Sequence, residues 1–179
     1  MNESAQGRFL VACIGNIFLG DDGFGPAVAR ALREMDVPAN VKVVDYGIRG
    51  IDLSYALIDP YRAVVFVDAI VRKGRPGTIY VLQPVDASSV AVEPQALDPH
   101  SMEPARLLAL ARLIGEVVSE IYIVGCEPSD FGDELVGRMG LSETVADAIP
   151  EAAHAVLELI GRIAAAPENQ ASSAAFTFH

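Results

Sequence analysis

Residues 9–32 read FLVACIGNIFLGDDGFGPAVARAL, and this order of apolar run, glycine-rich acidic turn and amphipathic segment decides the fold class. The run from Phe9 to Ile14 is apolar without alternation, as a strand buried on both faces requires. Gly15-Asn16 closes it. Pro26 suits the first turn of a helix, where its missing N–H has no intrahelical partner, and Val28, Leu32 and Met35 then recur at helical spacing. A buried strand leading through a short turn into a helix opens an α/β unit.

The alternation continues. Residues 41–44 read as a second strand ending at Asp45, and residues 51–58 as a short helix stopped by Pro60. Residues 63–67 form a third strand ending at Asp68, and residues 78–82 a fourth, reached through a turn between Gly74 and Gly77. Residues 84–100 hold three prolines and little periodicity, so they read as a long loop, a feature that is often functional. A helix is expected over 103–118, with Leu107, Leu110, Ala111, Ile114 and Val118 on one stripe. Residues 121–124 form the fifth strand, ended by Gly125-Cys126-Glu127-Pro128. Ser142 caps the last helix, whose inward face is Val145, Ile149, Ala152, Val156, Leu159 and Ile163, with Pro150 placed to kink it. The expected organisation is an N-terminal extension at 1–8, a single α/β domain over 9–165 and a disordered tail at 166–179. It predicts a three-layer α/β/α fold around a mostly parallel, twisted five-stranded sheet.

Composition narrows the partners. Hydrophobic residues make up 51% of the 179, enough for a sizeable core and too many for a disordered chain. Aspartate and glutamate outnumber lysine and arginine 24 to 13, a formal charge of -11 that repels a polyphosphate backbone and argues against a nucleic-acid partner. The N-terminal stretch lacks the basic and apolar segments of a secretory signal, and no apolar run approaches the roughly 20 residues that cross a bilayer. Cys13 and Cys126 sit inside apolar runs and read as buried, reduced thiols. The expectation is a cytoplasmic protein without a membrane partner.

In parallel α/β sheets ligands bind at the carboxyl ends of the strands, so the residues there matter most. The first strand leads into Asp21-Asp22, the second into Asp45 and the third into Asp68, and the long loop ends in Asp98-Pro99-His100-Ser101. The first loop lacks both dinucleotide glycine spacing and a phosphate-binding lysine, and its two carboxylates would repel phosphate. At a helix N-terminus those carboxylates are expected to stay ionised near neutral pH. Ionised carboxylates with a neutral imidazole suit nickel, zinc, iron or manganese. Three ligands close no structural site and no HExxH helix offers a resident zinc, so the metal is expected to be held weakly or by another protein. Each residue also has a plainer reading. Asp21 or Asp22 alone is a helix cap or turn stabiliser, Asp45 before Gly47 an ordinary turn aspartate, and His100 a loop residue; Asp68, after five apolar residues, is the one whose charge most needs a partner. His154 and His179 read as solvated.

The segment GNIFLGDDGFGPAVARAL at 15–32 resembles the opening motif of hydrogenase maturation proteases. VVFVDAI at 64–70, HSMEPARLLALA at 100–111, YIVGCEP at 122–128 and GLSETVADAIPEAAHAVLELI at 140–160 follow in the family's order, so the resemblance spans about residues 9–163. It implies a phosphorylase/hydrolase-like α/β sheet and a metal-binding cleft whose ligands here are Asp22, Asp68 and His100. It further implies an endopeptidase that recognises nickel carried by its substrate, the large-subunit precursor of a nickel–iron hydrogenase, and releases a C-terminal peptide. No resident cofactor is expected, and a monomer is. Asp45 matches an aspartate linked to catalysis. One departure stands out: the family's DGGTxG turn reads Asp45-Tyr46-Gly47-Ile48-Arg49-Gly50 here, with bulky or charged residues where small ones are common. No serine or cysteine nucleophile motif is legible. A metallochaperone without cleavage and a nucleotide-handling α/β enzyme are the rival readings.

Overall fold

The computed structural model describes residues 7–84, 104–117, 119–132 and 136–166. Five strands, β1 (Phe9–Ile14), β2 (Val41–Gly47), β3 (Ala63–Ala69), β4 (Ile79–Leu82) and β5 (Glu120–Cys126), form one sheet in the order β2-β1-β3-β5-β4. The β2·β1, β1·β3 and β3·β5 pairs are parallel and only β4·β5 is antiparallel. The exception has a simple cause. Residues 70–78 are too few to carry the crossover of about a dozen residues that a parallel return demands.

Two helical layers cover the sheet. Helices α1 (Phe24–Arg33), α4 (Glu143–Asp147) and α5 (Ile149–Ala165) bury Val28, Leu32, Val145, Val156 and Ile160 against Val11, Val65 and Val124 on one face. On the other, α2 (Gly50–Ala56) and α3 (Pro104–Ile114) bury Leu53, Leu107, Leu108 and Ala111 against Leu10, Phe66 and Ile121. All six residues of β1 are buried, as the unbroken apolar run requires of a central strand between two layers. This is the expected three-layer α/β/α architecture. Among the described residues no helix is long and apolar enough to cross a membrane.

Several boundaries differ from expectation. β2, β3 and β5 each run past their apolar runs, to Gly47, Ala69 and Cys126, because the ladder continues wherever a neighbour still offers backbone groups. The buried stripe of α3 is Leu107, Leu108 and Ala111, while Ile114 is left exposed. The last helix is broken, not kinked: α4 ends at Asp147, and Pro150 lies in the first turn of α5, where its lack of an N–H costs nothing. Ser142 does cap, its hydroxyl accepting from the N–H of Val145 at 3.4 Å. The expected long loop and the expected tail fall almost wholly outside the described residues.

Candidate active site at the carboxyl rim of the sheet

β1 leaves the sheet between β2 and β3, so the chain departs to opposite sides from this point and a crevice opens at the strand ends. Cys13 is in register with Asp45 on one neighbour and with Val67 on the other. Asp45 and Asp68 therefore lie near the carboxyl ends of the two strands that flank β1, each strand roughly 4.8 Å from it across the sheet.

Two glycines bring the acidic turn onto this rim. A 3-10 turn, Gly20–Gly23, leads directly into α1. A Cβ on Gly25 would lie 2.1 Å from the Ile14 carbonyl oxygen and 2.5 Å from that of Val67, so the start of α1 is wedged between the ends of β1 and β3. Gly15, with φ +133°, would place a Cβ 1.9 Å from the carbonyl oxygen of Asp22. Only glycine allows that backbone and that approach.

The adjacent aspartates do different work. Asp21 is wholly buried, and its carboxylate accepts from the N–H groups of Ser129 (2.8 Å), Asp130 (2.9 Å) and Ser142 (2.6 Å) and from the Ser142 hydroxyl (3.0 Å). Burial pushes its pKa upward, but these hydrogen bonds outweigh it and hold the group below the ordinary carboxylate value. It staples the first loop to two segments more than a hundred residues away. Asp22 is half-buried, and its Oδ2 accepts from the N–H of Asn16 at 2.8 Å. Burial raises its pKa, the Asn16 hydrogen bond opposing. Neither aspartate caps α1, whose N-cap is Gly23 and which has no side-chain cap bond. The capping reading is thus replaced, for Asp21, by a long-range staple.

Asp45 keeps the turn role foreseen for it, Oδ1 accepting from the N–H of Gly47 at 2.9 Å. Arg49, a charged residue of the altered turn, folds back to donate to the carbonyl oxygens of Asp45 and Tyr46. Val41 and Val43 belong to the α1-side core, so pleat alternation turns Asp45 toward that face, beside Cys13. Val64 and Phe66 belong to the other core, and the same alternation turns half-buried Asp68 toward the α2–α3 layer. Of the four residues singled out from sequence, Asp45 and Asp68 thus face opposite layers. Asp22, Asp45 and Asp68 occupy one rim, and His100 lies outside the described residues. Among the described residues no three metal-ligating side chains form a metal site.

Helix α3 nevertheless starts near this rim. α3 begins at Pro104, four residues after His100. The hydroxyl of Ser54, in α2, donates to the Leu107 carbonyl oxygen at 3.4 Å, while Gly115, beyond the other end of α3, packs on Ile58. α2 starts just after β2 ends at the rim, so α3, running alongside it, also starts there.

Sequence reasoning assigned no role to Glu127, which is 4% exposed. Its carboxylate gathers the N–H groups of Arg72 and Lys73 and the hydroxyl of Tyr80. The signal that singles out Asp68, an acidic residue directly after an apolar run, is weaker at Glu127, which follows the run at 121–124 only after Gly125 and Cys126.

Comparison with known proteins decides the family. The profile of the HycI hydrogenase maturation protease family matches residues 26–159. The chain belongs to the hydrogenase maturation protease family. A Methanocaldococcus jannaschii protein provisionally named a hydrogenase maturation protease is 33% identical over 150 residues, 83% of this chain and 92% of that one. The delta subunit of coenzyme F420 hydrogenase from Methanothermobacter thermautotrophicus is 31% identical over 159 residues, 86% of this chain and 95% of its own. Among solved structures, the hydrogenase maturating endopeptidase HybD from E. coli superposes with a TM-score of 0.67 at 27% identity, over 87% of this chain and 93% of that one. A hydrogenase 2 maturation peptidase from a Thaumarchaeota archaeon gives 0.60 at 33% identity, over 86% and 98%. The fold of these maturation endopeptidases thus extends over most of the chain.

Proposed function

We propose that this endopeptidase removes the C-terminal peptide from the nickel-loaded large-subunit precursor of a nickel–iron hydrogenase, reading the metal through Asp22, Asp68 and His100. One observation supports the reading: Gly25 packs the start of α1 against the carbonyl oxygens of Ile14 and Val67, so Asp22, three residues before it, and Asp68, next to Val67, both belong to the carboxyl rim of the sheet. The start of α3, four residues after His100, supports the third ligand. Two carboxylates and an imidazole suit a borderline cation such as nickel. Because the nickel belongs to the substrate, three donors recognise it without closing its coordination shell.

A nickel gripped this way fixes the scissile segment over the rim and polarises the peptide carbonyl. Asp45 has one oxygen engaged by the Gly47 N–H, and its other oxygen accepts no hydrogen bond from the described residues. That oxygen is the one to take the proton of an attacking water. The protein acts as a monomer and needs no cofactor of its own.

The test is to incubate the protein with nickel-loaded and nickel-free precursor and read the large-subunit mass. Loss of the C-terminal peptide from the loaded form alone is expected, and His100→Ala should abolish it with the fold intact. Cleavage of both forms would remove the metal from recognition, and cleavage of neither would favour a metallochaperone.

A further inference from the structure

Glu127 lies outside the ligand set and outside the acid–base chemistry, yet it is more completely buried than any of the three rim aspartates assigned to them. Its carboxylate accepts from the N–H of Arg72 (2.9 Å), the N–H of Lys73 (3.1 Å), the N–H of Gly74 and the hydroxyl of Tyr80 (2.9 Å). Three successive backbone N–H groups converging on one anion form a nest, here filled from within the chain. The nest needs an unusual backbone. Lys73 has φ 62° and is the one non-glycine residue in the left-handed region among the described residues. At Gly74 a Cβ would meet the Tyr80 hydroxyl at 2.0 Å. The main chain of residue 127 closes the rest of the loop, accepting from the N–H of Gly77 (2.8 Å) and donating to the Thr78 carbonyl oxygen (2.9 Å). Every polar group of Glu127 is thus spent on the segment that follows Asp68.

That segment borders the reaction crevice. Ile70, two residues past Asp68, extends the ladder by donating to the Cys126 carbonyl oxygen, and its side chain fills the space over Gly125. Val71 comes next and is 63% exposed, an aliphatic side chain held out to solvent by the clamped loop. We propose that Glu127 is a positioning residue for precursor binding: it fixes residues 70–74 as a preformed wall beside Asp68, against which the substrate peptide docks. The proposal rests on the functional reading above. A wall that is already ordered costs the substrate no ordering on arrival; a released one transfers that cost to the binding step.

The experiment is steady-state cleavage of nickel-loaded precursor by the wild type, Glu127→Gln and Tyr80→Phe, with thermal melts of each. Glu127→Gln puts an amide NH2 against N–H donors. KM is expected to rise about tenfold, one hydrogen bond's worth of ordering moved into binding, with kcat little changed. Tyr80→Phe removes one donor and should raise KM in the same direction by less, so the proposal stays testable if the first variant fails to fold. A merely structural role lowers the concentration of folded enzyme, which reduces the maximal rate and leaves KM alone. That pattern, or an unchanged KM in a folded variant, overturns the proposal. A wild type that leaves the precursor intact overturns the functional reading, and the proposal with it.

Discussion

Asp21 and Asp22 are chemically identical neighbours with opposite environments, so replacing each with asparagine should fail in opposite ways. In Asp21→Asn, the amide oxygen can keep the Oδ2 position and its bonds from the Ser129 and Asp130 N–H groups and the Ser142 hydroxyl, but the NH2 then stands at the Oδ1 position against the Ser142 N–H, two donors face to face. An unsatisfied N–H costs about 1–3 kcal/mol, and the three retained bonds lose the charge that strengthened them, so about 2–4 kcal/mol in total is expected. For a chain of this size that lowers Tm by roughly 5–15 °C. Asp22→Asn removes a charge that burial already disfavours and keeps an oxygen to accept from Asn16, so its stability should stay within about 1 kcal/mol of wild type. Thermal melts and precursor cleavage followed by mass spectrometry read both effects. Asp21→Asn should lose stability and keep cleavage in its folded fraction, whereas Asp22→Asn should melt normally and cleave nothing. Equal melting losses, or normal processing by Asp22→Asn, would refute the division of roles.

The acid limb of stability follows from the same groups. Asp21 and Glu127 have depressed pKa values, so what they add is fully present above the unfolded carboxylate range, about pH 4–5, and is lost as pH falls through their lower folded values. Asp22, shifted upward, works against them, and Asp21→Asn should flatten the acid limb in a pH series of melts. Gly25→Ala should cost about 3 kcal/mol or more, since its Cβ would collide with two strand carbonyls, and a Tm equal to wild type would show that the helix start is not wedged as described. Both cysteines are buried, Cys13 with its thiol pKa pushed far up and Cys126 with its own raised to about 12, by burial first and by nearby carboxylates after it. Neither should react with iodoacetamide at pH 8 until the protein is denatured, and rapid native labelling of either would contradict the packing.

What the sequence alone determined is local in origin. A central strand must be apolar throughout and a surface helix must be amphipathic, so all five strands and the helical segments were readable from period and punctuation. The cap at Ser142 was legible for the same reason, because its partner is three residues away. Strand ends were read short because an apolar run marks burial, while hydrogen-bond pairing continues into Gly47 and Ala69. The site was legible as a set of strand-terminal carboxylates, and the family resemblance named which of them to favour. Tertiary structure alone decided the sheet order with its antiparallel β4, the opposite faces taken by Asp45 and Asp68, and the separation of Asp21 from Asp22. The Asp21 partners lie 108 to 121 residues away, and no local pattern can encode a hydrogen bond at that distance. Glu127 stayed hidden for a related reason: a lone glutamate looks solvated until the fold closes a loop of N–H groups around it.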